Sequence, residues 1–149
     1  MSYFAADVLT AVYTKISSEI NTMLATIRTE RSDTTLPDVL NVTYGLPTGQ
    51  LPEIVITMET TDQPDELLQD NITIDPQVYN LQIMLTSQGI DALFQLHMCY
   101  YLEALQRLLH GCQISGITWV RCKDSIIDNI TAENEIYKFV GIKLEVRIN

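Results

Sequence analysis

The segment HMCYYLEALQRLLHGC, residues 97–112, has a histidine and a cysteine two positions apart at each of its ends. Imidazole and thiolate groups bind zinc, and a cysteine beside a histidine forms a nucleophile–base pair in many enzymes. The segment therefore raises two chemical hypotheses, a metal site and a catalytic dyad. Both depend on the element that positions these side chains.

Apolar residues recur through this segment with the period of an α-helix. We predict a helix over Ile90–His110, with Asp91 as its N-cap and Gly111 at its C-terminal end. On that helix His97 lies within the apolar arc and therefore among core neighbours. Cys99 lies on the opposite side, because residues two positions apart do not share a helix face. These two residues therefore cannot bind one metal ion.

The outer side of the predicted helix carries Cys99 and His110. They lie eleven positions apart, about 16 Å along the axis, which is too far for a hydrogen-bonded dyad. Glu103 and Arg107 are spaced as an i, i+4 surface ion pair. His110 and Cys112 provide only two ligands, whereas zinc needs three or four. We therefore predict a helix that serves the core and the surface, without a metal or catalytic role.

No other motif in the sequence supports an enzyme. The chain has no glycine-rich phosphate loop, no G-x-S-x-G, no H-E-x-x-H and no Cys-x-x-Cys. Seven acidic residues between Glu53 and Asp75 could suggest a calcium loop, but their spacing does not fit an EF-hand and no glycine lies among them. We expect no catalytic residues, no cofactor and no metal. A small enzyme that uses carboxylates as general bases stays open as an alternative.

Charge is distributed unevenly along the chain. The 149 residues suit a single domain over residues 1–149, and the net charge is −10. Residues 32–106 hold eleven acidic residues and no lysine or arginine. Such a surface does not bind nucleic acid, because phosphate contacts need lysine and arginine. It indicates either a solvated acidic face, or a surface that repels a polyanion or meets a basic partner.

Cysteine content and hydropathy bear on the cellular compartment. Three cysteines without paired spacing, Cys99, Cys112 and Cys122, argue against a disulfide framework and suit a reducing cytosol. Residues 1–15 have no basic start and no unbroken apolar block, so we predict no secretory signal. The chain has no run of 18 apolar residues, so we expect no membrane span.

Hydrophobic periodicity predicts two helices and four strands. Tyr3–Thr29 contains no glycine or proline and places its apolar side chains on one arc, which indicates a long amphipathic helix. All five prolines fall between residues 37 and 76, which excludes another long helix there. We predict NITAEN, residues 129–134, as a turn. The strands are predicted at EIVITMET (53–60), QVYNLQIMLTS (77–87), ISGITWVRCKD (114–124, with an extension through SIID left open) and EIYKFVGIKLEVRIN (135–149).

The predicted order α-β-β-α-β-β gives an α+β fold with two layers. A four-stranded, mainly antiparallel sheet has both helices on one face, and its first two strands are antiparallel neighbours. Tyr137 and Phe139 alternate with the inward apolar residues of the last strand, so they should point away from the helices. Ile117 and Trp119 join them if the third strand presents those residues outward. We expect these four side chains to form an interface with another subunit or partner.

Five predicted elements cover most of the chain: a long N-terminal helix, a proline-rich crossing, a strand pair, the helix DALFQLHMCYYLEALQRLLHG and a terminal hairpin ending in GIKLEVRIN. This arrangement resembles the tail terminator and tail-completion (neck) proteins of long-tailed bacteriophages. The resemblance is one of element order and length, without a diagnostic motif, and that family has no catalytic residues. It implies a ring, typically a hexamer, that caps the tail tube and joins it to the head, with DNA passing through the middle.

The resemblance also implies partners and a location. The partners are a tail tube protein and a head-side neck or connector protein, and DNA passes through without specific binding. The location is the tail or neck of the virion, after assembly in the host cytoplasm and without a membrane. A ring would also cover the second face of each sheet. Three alternatives stay open: another connector component such as a head-completion or stopper protein, a tail tube or baseplate protein, and a small acidic binding domain or enzyme unrelated to phage.

Four acids, Asp62, Asp65, Glu66 and Asp70, lie within nine residues and have no basic neighbour in sequence. The DNA path is implied by the resemblance, which does not fix the segment that faces it; we infer from their charge that these acids line it. Repulsion would act only at short range, because the Debye length at physiological salt is about 8 Å. A second possibility is that the same acids point outward and dock on a basic patch of the head-side neighbour.

Overall fold

The structure, a computed structural model, describes residues 5–62, 77–89, 92–132 and 135–148. In chain order its elements are α1 (Ala5–Glu30), β1 (Asn41–Thr43), β2 (Glu53–Asp62), β3 (Gln77–Gln88), α2 (Ala92–Leu109), β4 (Trp119–Ala132) and β5 (Glu135–Ile148). The strands form one sheet in the order β1-β2-β3-β5-β4. Both helices pack on the same face of this sheet and on each other, which confirms the general α+β class.

Helix α1 contributes one continuous stripe to the core. Its buried residues recur every three or four positions, so they lie on one side of the helix: Val8, Val12, Ile16, Ile20, Leu24 and Ile27. Each fully buried aliphatic side chain stabilises the fold by about 1.5–3 kcal/mol relative to an exposed one. The stripe therefore holds α1 against the sheet without further cross-links.

Helix α2 ends one residue before the predicted C-terminus. Gly111 has a positive φ of 72°, a conformation that glycine adopts without strain, and its N–H donates to the carbonyl of Val120 at 2.8 Å. The predicted N-cap, Asp91, lies outside the described residues. Within the described ranges, neither helix is long and apolar enough to cross a membrane.

The sheet side of the core follows the predicted alternation. β2 and β3 are antiparallel neighbours, as predicted, with Ile54 opposite Leu85 and Ile56 opposite Ile83. In β5 the residues Val140, Ile142, Leu144, Val146 and Ile148 are all buried against the helices. The period-2 pattern in the sequence therefore identified which residues of this strand face the helices.

The predicted four-stranded, mainly antiparallel sheet is wrong, because the described residues form five strands in one mixed sheet. The additional strand β1 runs parallel to β2, with Val42 opposite Ile54. It has three residues, which is too short to display a period-2 pattern, and it lies among the prolines. Over the residues that the structure describes, the element order is therefore α-β-β-β-α-β-β.

The predicted turn at residues 129–134 is also wrong for its first four residues. Asn129–Ala132 continues β4 and pairs with residues 135–138 of β5. Asn129 suggested a turn by residue type. In a strand at the edge of the sheet its side chain is exposed, so a polar residue is tolerated there.

Candidate functional site: the open face and edges of the sheet

The histidine and cysteine side chains in and beside α2 make separate contacts. His97 is 6% exposed, and its Nε2 lies 3.1 Å from a carboxylate oxygen of Asp33. Cys99 is exposed, and His110 accepts the backbone N–H of Cys122 through Nδ1 at 3.1 Å. Among the described residues, no group of three or more His, Cys, Asp and Glu side chains could hold a metal ion. The two histidines instead contact other segments: His97 contacts the segment after α1, and His110 contacts β4.

Asp33 is the charged partner in this contact. Its carboxylate accepts hydrogen bonds from the hydroxyl and the backbone N–H of Thr35. It also lies within hydrogen-bonding distance of His97 Nε2. Hydrogen bonds from Thr35, and then from His97, hold the pKa of Asp33 below its ordinary value. The carboxylate therefore stays ionised and fixes the segment between α1 and β1 to α2.

The face of the sheet that turns away from the helices is called here the open face. Tyr137 and Phe139 of β5 lie on it, opposite Gln88 and Thr86 of β3. Trp119 of β4 also lies on it, because it pairs with Arg147, whereas the next pair, Val120 and Val146, is buried against the helices. Three of the four sequence-predicted interface residues therefore share this face.

Ile117 does not join them. It lies just before β4, is partly buried and packs against the core cluster. Its N–H donates to the carbonyl of Ile114 at 3.1 Å, so the chain turns here and is not yet extended. The sequence pattern extended the strand too far toward its N-terminus, and Ile117 consequently lies outside the alternation.

One end of the open face carries several apolar side chains. Val55, Met84, Gly141 and Ile126 are successive partners across β2, β3, β5 and β4. Ile126 is 49% exposed, and a Cβ added to Gly141 would come within 3.0 Å of its Cγ2. The glycine therefore leaves room for Ile126 to lie over the sheet. With Tyr137 and Phe139, this row forms what we call the apolar half.

The other end of the open face is charged. Arg121 and Lys123 both contact the carboxylate of Glu145, at 2.8 and 3.1 Å. The guanidinium of Arg121 also lies 5.1 Å from the centre of the Trp119 ring, within cation–π range. Glu145 is only 8% exposed. Two cations on one buried carboxylate leave an excess of positive charge at the start of β4.

Residues 44–51 fold over the beginning of β2 and bound a groove of about 460 Å³ on the open face. The wall includes Pro47, Gly49 and Leu51, and the floor includes Met84 and Tyr137. Leu46, which precedes Pro47 in this loop, is exposed. The groove is therefore continuous with the apolar half.

Glu53 holds this loop in place. The carboxylate is 2% exposed and accepts Asn41 Nδ2 at 2.7 Å and the backbone N–H of Thr48 at 2.9 Å, together with the Thr48 hydroxyl and the Gly49 N–H. Burial alone would raise the pKa of Glu53, but the hydrogen bonds from Thr48, Asn41 and Gly49 outweigh it and lower the pKa. A buried, ionised carboxylate thus orders the loop.

Of the four acidic residues proposed to line the DNA path, the structure describes only Asp62. Asp62 is the last residue of β2 and pairs with Val78 of β3. Asp65, Glu66 and Asp70 lie outside the described residues. Their role as a channel lining or as a docking surface therefore stays a hypothesis from the sequence.

Sequence reasoning missed the two buried carboxylates of the open face. Glu53 looked like an ordinary polar residue at the start of a strand, and its donors lie on a loop without periodicity. Glu145 alternates with the apolar residues of β5 and suggested a solvent-exposed position. A signal for Glu145 was Arg121, which pairs with it, and Lys123 two residues later, because neighbouring strands place unlike charges together.

Comparisons with known proteins support the fold. The chain matches no protein-family model, and no curated protein is similar to it in sequence. It is similar in structure to a chain in the virion of a native gene transfer agent particle, with a TM-score of 0.59 and 14% sequence identity. The similarity covers 99% of this chain and 98% of that chain. The two chains therefore share a fold over their full lengths.

Proposed function

We propose that this protein is a structural subunit of a phage-like tail or neck ring, and specifically the tail terminator that caps the tail tube and joins it to the head. The observation that carries the proposal is the end-to-end fold similarity to a chain of a virion particle. The resemblance in element order to tail terminator and tail-completion proteins supports the finer assignment.

The open face supports a role in assembly. It presents Tyr137, Phe139 and Ile126 on one contiguous area, next to the exposed loop around Leu46. Contiguous apolar surface that is rimmed by charged side chains is typical of protein–protein interfaces. In the assembled particle this surface contacts another subunit or the tail tube protein, and the protein acts without catalysis.

The proposal places the protein in the virion, between the tail tube protein and a head-side connector protein, with DNA passing through the ring. Asp62, Asp65, Glu66 and Asp70 line that passage and repel phosphate, because no lysine or arginine lies among residues 32–106. The ring has six copies, as in the family that the chain resembles.

Native mass spectrometry and negative-stain imaging test the proposal. The purified chain should form a ring with a central opening, alone or with the tail tube protein of the same particle, and the ring should bind to one end of the tube. A chain that stays monomeric in both conditions would refute a ring subunit. A ring that binds the portal side of the head and leaves the tube free would instead identify a head-completion or stopper protein.

A further inference from the structure

The sheet has two edges that no described strand covers completely. β4 is the last strand, and its outer side has no strand neighbour among the described residues. At the opposite edge, β1 pairs with only Glu53–Val55 of β2, so Ile56–Asp62 has no described strand on that side. Open strand edges present unpaired N–H and C=O groups that another strand can bind.

Charge is divided between these two edges. β1 and β2 together carry three acidic residues and no basic residue, whereas β4 carries two basic residues near its start and two acidic residues, Asp124 and Asp128, after them. At the start of β4, Arg121 and Lys123 share the single carboxylate of Glu145, and their side chains are 54% and 43% exposed. One edge of the sheet is thus acidic, and the other has accessible positive charge.

The two charged regions lie at the same level of the sheet. Thr60 pairs with Asn80, Asn80 with Glu145, and Glu145 with Arg121. Glu59, which is exposed, precedes Thr60 in β2. The acidic end of β2 and the basic end of β4 are therefore aligned across the sheet.

Apolar side chains also lie near both edges. Thr43, the last residue of β1, pairs with Val55, whose row continues across the sheet to Ile126 of β4. In the loop that follows β1, Leu46 is 88% exposed and Tyr44 is 50% exposed. Both edges therefore present apolar surface as well as opposite charges.

We propose that a second copy of this chain docks its β1–β2 edge against the β4 edge of the first copy, head to tail. Glu59 then faces Arg121 and Lys123, and the loop around Leu46 contacts Ile126. The occupant is a second copy because each edge offers the complement of the other in both charge and apolar surface. A contact between two different patches generates a ring when its rotation closes. The edge contact itself does not depend on the proposed function; only its closure into a ring does.

Charge reversal at each edge tests the contact. Arg121→Glu with Lys123→Glu should weaken self-association by more than about tenfold, and so should Glu59→Lys, because each places like charges together. Lys15→Glu and Glu19→Lys, made separately, reverse charges in the same two directions on α1, where the two residues pair with each other at 2.8 Å, and should leave association unchanged. Sedimentation velocity and native mass spectrometry measure the outcome.

A second pair of variants guards against loss of folding, since the Arg121 and Lys123 changes leave Glu145 without a counterion. Ile126→Glu and Leu46→Lys alter exposed apolar side chains at the two edges and should weaken association in the same way. Circular dichroism checks that each variant is folded. Amide exchange should also slow along β4 when the wild-type chain associates.

Mixing distinguishes a head-to-tail contact from a symmetric one. Arg121→Glu with Lys123→Glu at the β4 edge and Leu46→Lys at the β1–β2 edge, each monomeric alone, retain one intact edge apiece. Their altered edges do not complement each other, because the two introduced glutamates would face Glu59 and the introduced lysine would face Ile126. The mixture should therefore form a one-to-one heterodimer that grows no further. Variants that assemble like wild type, or a mixture that stays monomeric, would overturn the edge contact but leave the proposed ring intact. A wild-type chain that stays monomeric with and without tail tube protein would overturn both.

Discussion

Glu53 is a single side chain on which a whole loop depends. A buried carboxylate is stable only when its lone pairs are satisfied, and here Asn41, Thr48 and Gly49 provide the donors. Replacing Glu53 with glutamine would direct an NH₂ group toward these donors. We expect Glu53→Gln to lower the free energy of unfolding by about 1–3 kcal/mol. Urea unfolding measures this, with the exposed Glu59→Gln on the same strand as the control.

The same carboxylate gives a pH signature. Because the pKa of Glu53 is lower in the folded chain than its ordinary value, its stabilising contribution is complete above the ordinary pKa and is lost as pH falls through the folded pKa. The stability difference between wild type and Glu53→Gln should therefore be constant at neutral pH and shrink in acid. A difference that grows in acid would contradict an ionised, hydrogen-bonded carboxylate.

The side chains of α2 allow a direct comparison of core and surface. Leu105 is fully buried, so Leu105→Ala should lower the free energy of unfolding by about 2–5 kcal/mol. Cys99→Ala should change it by less than about 0.5 kcal/mol, and His110→Ala by no more than about 1 kcal/mol, because water can replace the contact with Cys122. Both should leave assembly intact. A stoichiometric metal that is lost in His110→Ala would refute this interpretation.

At the scale of elements, long amphipathic segments could be predicted and short or edge segments could not. The helical arc placed His97 in the core, and the alternation of β5 identified which residues face the helices. β1 could not be predicted, because a strand of three residues is too short to show a period-2 pattern. The end of β4 was predicted as a turn, because an edge strand tolerates the same polar residues as a turn. Glu53 and Glu145 could not be found, because their partners come from other parts of the chain.

The apolar half of the open face allows a prediction for the sheet as an element. Tyr137→Glu with Phe139→Glu should block assembly or binding to the tail tube while leaving the monomer folded, since neither residue belongs to the core cluster. Leu93→Glu with Leu96→Glu makes the same change on α2, where both leucines are 43% exposed, and serves as the control. Particle reconstitution followed by electron microscopy measures the effect. Normal assembly of the double variant would locate the interface elsewhere.

At the scale of the whole molecule, the four acids Asp62, Asp65, Glu66 and Asp70 decide between two roles. If they line the DNA path, Asp62→Asn, Asp65→Asn, Glu66→Gln and Asp70→Asn together should leave head–tail joining intact and slow DNA release, because the wall no longer repels phosphate. The measurement is the rate of DNA ejection from reconstituted particles. Failure of joining, together with a wild-type joint that weakens in high salt, would favour docking on a basic neighbour.

The direction of the strands has a consequence for any assembly made from this sheet. β2, β3, β5 and β4 are each antiparallel to the next, and an even number of alternating strands makes the first and last run in opposite directions. β1 keeps the direction of β2, so it does not change this parity. When identical copies related by rotation about a common axis meet edge to edge, the seam between them is therefore antiparallel, like the interior pairs. The hydrogen-bonding pattern could then continue from copy to copy as one closed barrel.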